Sequence, residues 1–556
     1  MDIPSLFMIP SAVSSGKVHS VFPNSTDADF DFNRDSDATR VNSEGLIERV
    51  GYYGSEEVSN GDFSQSGTVT STSWTLGWQS ADTGASISDG LLTIERTTAT
   101  VRVYATNNVN SFIALTSGKK YKLTYTIVSN SNNALLDYHN GGSYVTAPNS
   151  EGTHTIDYTT AGTVFLFRNN TDNSTIKIDN VSIKEVLGDR ARLNYEIEGG
   201  LVNTKPSLLL EPQSTNLVTY SEDFSQSYWA KNKLTVTPNA VISPTGELNA
   251  SLIQETSYTT STNSIDLQNA ISLSAGTYTL SFYVKNNKGR YLGISFGSSS
   301  ERVRTNFDFN TNTFKTLNLS GTTTGSASFT TLGDFYRLSV TATFPSTVPV
   351  KTTITPLATD TYPFFANQDS DNRSFYMWGV QFEQQSYATS YIPTNGSVQT
   401  RASETCNGAG TSSIFESSEG ILYLEVQTTF DSSKSRRISI SDGTISNRIA
   451  FEFDEASENR LRIHQNAGLI DYNAPNLSVF NKIAYKFKSG DNDLWFNGSQ
   501  VANSISTNMP SGMNVLQLQG AGNTNTFYGK IRDIRVYNTK EMTDSEVDIL
   551  LTKITS

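Results

Sequence analysis

The sequence predicts an all-β chain of several domains, and three observations carry that expectation. The composition is rich in Ser, Thr, Asn and Gly and holds 25 Tyr and 29 Phe, a mixture that favours strands, turns and polar exposed faces. Few stretches contain the Ala/Leu/Glu/Lys mixtures of stable helices. Short runs of alternating apolar and polar residues recur, separated by turn pairs such as Ser117-Gly118 and Ala275-Gly276. At 556 residues the chain has room for about three to four domains of roughly 150 residues each.

A net charge of −13 argues against nucleic acid, which demands clustered Lys and Arg. No run of five like charges provides a basic or acidic tail. The one cysteine, Cys406, points to folding in a reducing cytoplasm. The apolar patch from Ile3 to Ile9 follows no Lys or Arg and is flanked by Pro4 and Pro10. It makes a poor signal peptide and is too short to insert across a membrane.

An internal repeat organises the middle of the chain. Gly61-Asp62-Phe63-Ser64-Gln65-Ser66 recurs as Glu222-Asp223-Phe224-Ser225-Gln226-Ser227. The strand pattern Tyr121, Leu123, Tyr125, Ile127 recurs as Tyr278, Leu280, Phe282, Val284, with Tyr283 interrupting the polar face. Each copy closes on a further strand, Ile176 to Ile183 and Phe375 to Phe382. The spacing makes these whole domains, each expected as two stacked antiparallel sheets.

Those residues support resemblances. Asn60 to Phe63, Leu115 to Leu123 and the ending Ile178-Asp179-Asn180-Val181-Ser182-Ile183 resemble jelly rolls of the carbohydrate-binding-module type. Toward the end, Asn497-Gly498 is a hairpin signal between apolar strands, the finish Phe527-Tyr528-Gly529-Lys530-Ile531-Arg532-Asp533-Ile534-Arg535-Val536-Tyr537 resembles concanavalin-like, laminin-G-like sandwiches, and a short helix is expected from Thr543 to Leu550. The segment Asp31 to Ile47, Arg192 to Tyr195, Pro206 to Leu217, Ser390 to Thr394 and Arg401 to Thr405 resemble linker motifs of bacteriophage structural proteins. The expected architecture is therefore an irregular N-terminal attachment segment (1–55), a jelly-roll β-sandwich (56–187), an extended linker (188–216), a second jelly roll (217–395), a linker (396–412) and a concanavalin-like, laminin-G-like β-sandwich (413–556).

Candidate chemistry is sparse. The histidines His19, His139, His154 and His464 form no short-spaced metal pair, so zinc is not expected. Cys406 sits in a polar stretch and reads as a bystander thiol. Retaining glycosidases on concanavalin-like sandwiches align three carboxylates on one strand. Here Glu452 and Asp454 are followed by Ala456 and Ser457, with Glu458 out of step, so the strand reads as a solvated face and the chain as no enzyme. The jelly-roll resemblance implies a structural Ca²⁺ in the first module at Asp179 with Asn60 or Asp62, although no cofactor is required. Outward aromatic and cationic side chains nominate Tyr283, Arg290, Tyr291 and Trp495 for glycan binding, against the plainer reading that they pack in a core or against a neighbouring subunit. Ile3, Leu6, Phe7 and Ile9 are nominated for docking on a particle.

The resemblances imply a virion-associated fibre or spike on head or tail, assembled in the host cytoplasm, commonly a homotrimer, contacting other virion proteins and a host-surface glycan. Two alternatives are a capsid or tail decoration protein without a receptor role and a secreted carbohydrate-active enzyme.

Overall fold

The computed structural model describes residues 3–20, 28–107, 111–198, 200–256, 263–321, 324–360, 372–428, 435–454, 459–466 and 468–556, apart from the side chains of Ile9 and Asp454. Strand makes up 55% and helix 4%, an all-β sandwich architecture. Two compact units arise, Gly51–Gly188 and a larger one made of residues 1–50 and 189–556.

The Gly51–Gly188 unit is a sandwich of a seven-stranded and a five-stranded sheet. In its central strand Lys120–Asn130, Tyr121, Leu123, Tyr125 and Ile127 are buried and their neighbours Lys122, Thr124 and Thr126 face out. This is the period-2 pattern of a half-buried strand. Ser174–Val186 pairs beside it through Leu123↔Ile183 and Ile127↔Ile178.

Within the larger unit, residues 217–395 form a second sandwich, of an eight-stranded and a six-stranded sheet. Both copies of the repeat build the same plug. Asp62 Oδ1 accepts from the Ser64 N–H and hydroxyl, and Asp223 Oδ1 does the same for Ser225. The turn drives Phe63 or Phe224 fully into its core, against Trp78 (ring centroids 5.6 Å) or Trp229 (5.4 Å). Each indole N–H reaches a backbone carbonyl, that of Asn60 or Tyr220.

The third sandwich joins an eleven-stranded sheet to a five-stranded one, and it contains the beginning of the chain. The strand Leu6–Ser14 pairs with Gly529–Tyr537 through Leu6↔Val536 and Phe7↔Arg535. Farther along the same edge, Ser207–Leu210 pairs through Leu208↔Ile531. The segments expected as an irregular attachment arm and an extended linker are thus partly strands of this sheet. Their apolar residues explain the difference: Leu6, Met8, Leu208 and Leu210 are 0% exposed in the sandwich core. The C-terminal helix Asp544–Thr555 is closed by a capping box between Thr543 and Glu546 and covers the sheet's outer face over Tyr423 and Trp495.

The five linker motifs converge on one buried polar knot in this unit. Arg34, Arg192, Arg401, Glu211 and Glu404 are all nearly or fully inaccessible. Arg34 Nη1 and Arg192 Nε donate to Glu404 Oε1 at 3.1 and 2.8 Å. Arg192 Nη2 and Arg401 Nη1 contact Glu211 Oε2 at 2.8 and 2.9 Å. Ser390 donates to Glu211 from both its N–H and its hydroxyl. Further guanidinium donors find the carbonyls of Ser36, Thr39, Val50, Arg190 and Pro212, while Arg401 Nε is buried without an acceptor. Burial opposes ionisation of Glu211, but the Arg401 and Arg192 charges outweigh it and hold its carboxyl far below the usual range.

Candidate glycan-binding face

The outer face of the five-stranded sheet in the Gly51–Gly188 unit carries a set of half-exposed aromatic and charged side chains. Strand Val101–Ala105 buries Val101, Val103 and Ala105, so Arg102 and Tyr104 turn outward. Cross-strand register aligns Arg102, Arg168, Asp137 and Thr146 in one row over four strands. A second pairing sets His139 opposite Tyr144.

These side chains hold one another in place. The Arg168 guanidinium stacks 3.5 Å from the Tyr144 ring centroid and donates from Nε to Asp137 Oδ2 at 3.0 Å. Asp137 Oδ1 accepts from the Thr146 hydroxyl at 3.0 Å. Arg102 Nη1 donates to Asp82 Oδ2 at 3.3 Å, and its hydrogen bond with the Tyr144 hydroxyl raises its pKa. The His139 ring meets Tyr144 edge-on at 5.0 Å. Its Nδ1 accepts from the Gly141 N–H, which leaves Nε2–H as a donor. Burial and the Arg168 charge lower the His139 pKa and keep the ring neutral.

An aromatic group extends the face beyond Tyr104. Phe112 lies 5.0 Å from Tyr104 and 5.3 Å from Trp74. Trp74 belongs to a short 3-10 turn closed by Gly77 at φ 76, where an added Cβ would meet the Ser59 carbonyl at 2.3 Å. Only glycine fits there. Chemically, the face combines ring surfaces for stacking with two compensated Arg–Asp pairs and a neutral imidazole donor. Both positive charges have a carboxylate partner, so the arrangement suits neutral hydroxyl groups better than free anions.

The residues nominated from sequence fall elsewhere. Tyr283 points away from the sandwich core, as expected, but is only 4% exposed, because Trp378 and Tyr391 cover it at 5.4 and 6.4 Å. Arg290 stacks 4.8 Å from Tyr291 and pairs with Asp308 at 2.8 Å, so these two neighbours do come together. Trp495 lies against the cluster under the C-terminal helix. Ile3 is 68% exposed, Phe7 lies under the Arg535 guanidinium, Leu6 is buried and therefore cannot dock outward, and the Ile9 side chain lies outside the described residues.

Asn60 is engaged in its own turn, donating to the Gln65 and Leu76 carbonyls and accepting from the Gln65 N–H. Asp62 accepts from Ser64, and Asp179 Oδ1 from the Asn180 N–H. Among the described residues no cluster of three or more His, Cys, Asp or Glu is placed to hold a metal. Cys406 lies in the strand Thr405–Asn407, fully buried, and burial pushes its thiol pKa far up. Glu452, expected on a solvated face, is 2% exposed beneath Arg437, Arg462 and His464. Burial alone would raise its pKa, yet the His464 hydrogen bond and the Arg437 charge bring it down to about 2. Glu455 to Glu458 lie outside the described residues.

Arg102, Tyr104, Tyr144 and Arg168 belong to no motif legible in the sequence. The alternation in Val101-Arg102-Val103-Tyr104 carries the signal for two of them.

No family model and no curated protein matches the sequence. Solved structures do. The CBM40 of Ruminococcus gnavus IT-sialidase, bound to α2,3-sialyllactose, is 19% identical, covers 27% of this chain and 94% of its own, and gives a TM-score of 0.22. The tandem CBM22-1–CBM22-2 of Paenibacillus barcinonensis Xyn10C is 12% identical over 60% of this chain and 98% of its own, at 0.20. Trypanosoma rangeli sialidase is 10% identical over 94% of this chain and 98% of its own, at 0.21. Likeness at this level carries no conclusion about ligand or activity.

Proposed function

We propose that this chain is a non-catalytic glycan-binding protein and that the Arg102–Tyr144–Arg168 face is its binding surface. The observation behind this reading is the row of compensated Arg–Asp pairs flanked by Tyr104, Tyr144 and Trp74. Rings of this kind stack on the apolar faces of pyranoses, and fixed polar groups select hydroxyls. A binding rather than hydrolytic role is further supported by Glu452, whose carboxylate is tied to three cationic or imidazole partners and is poorly placed to give or take a proton.

The setting we propose is a bacteriophage particle, on which the protein serves as a fibre or spike, assembled as a homotrimer in the host cytoplasm and adhering to host-surface glycan. This setting rests on the resemblance of the linker motifs. The full-length protein should bind host-surface polysaccharide, and Tyr144→Ala with Arg168→Ala should weaken binding at least tenfold while melting stays unchanged. Undiminished binding by that variant would overturn the site. Light scattering should give three times the chain mass; a monomer that stays monomeric on particles would refute the trimer.

A further inference from the structure

A second face carries unpaired hydroxyls into a cleft. In the six-stranded sheet of residues 217–395, three cross-strand rows lie on the side away from the core: Ser326–Thr341–Thr279, Ser328–Ser339–Ser281 and Thr330–Arg337–Tyr283. The inner column is occupied. Thr279 donates to the Gln385 carbonyl at 2.8 Å, and Ser281 accepts from Arg337 at 3.1 Å. Ser326, Ser328, Thr330 and Ser339 have no side-chain hydrogen bond among the described residues, and the first three are exposed.

These hydroxyls border a cleft of ≈ 580 Å³ whose opposite side includes Asn194, Glu196, Gln427, Phe480 and Lys530. That volume lies within the range of about 300–1,000 Å³ typical of small-ligand sites. Its cations are engaged by protein groups, Lys530 and Arg40 by carboxylates and Arg337 by neutral partners alone. Lys530 pairs with Glu196 at 3.3 Å, and Arg337 donates to the Thr389 carbonyl at 2.7 Å while lying 5.3 Å from the Tyr283 ring centroid. Arg337 Nε is buried without an acceptor.

We infer that this cleft is a second carbohydrate site, taking a neutral, linear oligosaccharide along the Ser/Thr rows. A hydroxyl both donates and accepts, so a column of unpaired hydroxyls matches a ligand whose own groups do the same. The Lys530 charge is spent on Glu196 and the Arg337 guanidinium on the Ser281 hydroxyl and the Thr389 carbonyl, while Phe480, with the Arg532 guanidinium 3.6 Å from its ring centroid, borders the cleft. An extended peptide could also approach the edge strand Thr324–Leu332, but backbone pairing at that edge would leave the Ser339 hydroxyl without a partner.

The cleft shares no residue with the Arg102–Tyr144–Arg168 face, so one experiment separates the two. Full-length protein is titrated calorimetrically with cello-, malto-, xylo- and chito-hexaose, alongside Ser328→Leu/Ser339→Leu and Tyr144→Ala/Arg168→Ala variants whose melting matches the parent. We expect two binding events, one weakened at least tenfold by each variant. Binding lost only in the Tyr144/Arg168 variant overturns the cleft and leaves the first face standing. Binding lost only in the Ser328/Ser339 variant overturns the first face instead. No binding of any hexaose refutes both, and binding of a Ser/Thr-rich decapeptide in the cleft in place of sugar refutes the carbohydrate assignment.

Discussion

Arg192 donates from Nε to Glu404 Oε1 at 2.8 Å across 212 positions of sequence, with both side chains wholly inaccessible to solvent. The pair is the centre of the knot that ties residues 34–50, 189–217 and 390–405 together. Removing one member of a buried pair leaves an uncompensated charge and costs about 3–5 kcal/mol. Glu404→Gln is expected to lose that much in urea unfolding, since it abandons both Arg34 and Arg192. Asp37→Asn, which breaks a surface pair with Arg49, should cost under about 1 kcal/mol. Equal losses in the two variants would show that the knot contributes little.

Leu6 offers a second stability test. It is fully buried between strands of the eleven-stranded sheet, so Leu6→Ala should destabilise the larger unit by about 2–5 kcal/mol. Ile3→Ala, at a position 68% exposed, should change little. A tolerant Leu6 would separate the N-terminal strand from the core.

These two sites show what was legible in the sequence. The alternation of Tyr121, Leu123, Tyr125 and Ile127 states its own face because the strand period is local. The Asp-Phe-Ser repeat likewise marks its turn. The knot was not legible as such, since Arg34, Arg192, Glu211, Ser390 and Arg401 meet only after long-range pairing brings their segments together. Tyr283 failed as an exposed residue for the same reason: its cover, Tyr391, is supplied by a distant stretch. Arg102 and Tyr104 could be read as outward, but Asp137, Tyr144 and Arg168 join them only through register.

Acid should weaken the third sandwich through Glu452. Its native pKa lies near 2 against an ordinary 4.5, so the native state favours the ionised form. The stabilisation is complete above 4.5 and is lost as pH falls toward about 2, amounting to about 3 kcal/mol. Glu452→Gln should flatten that part of the stability–pH curve relative to the parent. Parallel curves for the two proteins would remove Glu452 from the acid response.

Calcium has a simple readout. Asn60, Asp62 and Asp179 each hold local N–H donors, so EDTA is expected to leave the melting of the full chain unchanged. A rise of several degrees on adding Ca²⁺, abolished by Asp179→Ala, would instead establish an ion site in the first module.

The pairing of Leu6–Ser14 with Gly529–Tyr537 has a consequence for synthesis. Ser5 donates to the Val536 carbonyl from 531 positions away, so a ribosome delivers the two partners far apart in time. At about 5–20 residues per second, the early strand waits roughly half a minute or more for its neighbour. Until then Leu6 and Met8 lack their partner strand and invite either a chaperone or a sister chain. Products terminated between the two strands never complete this sheet.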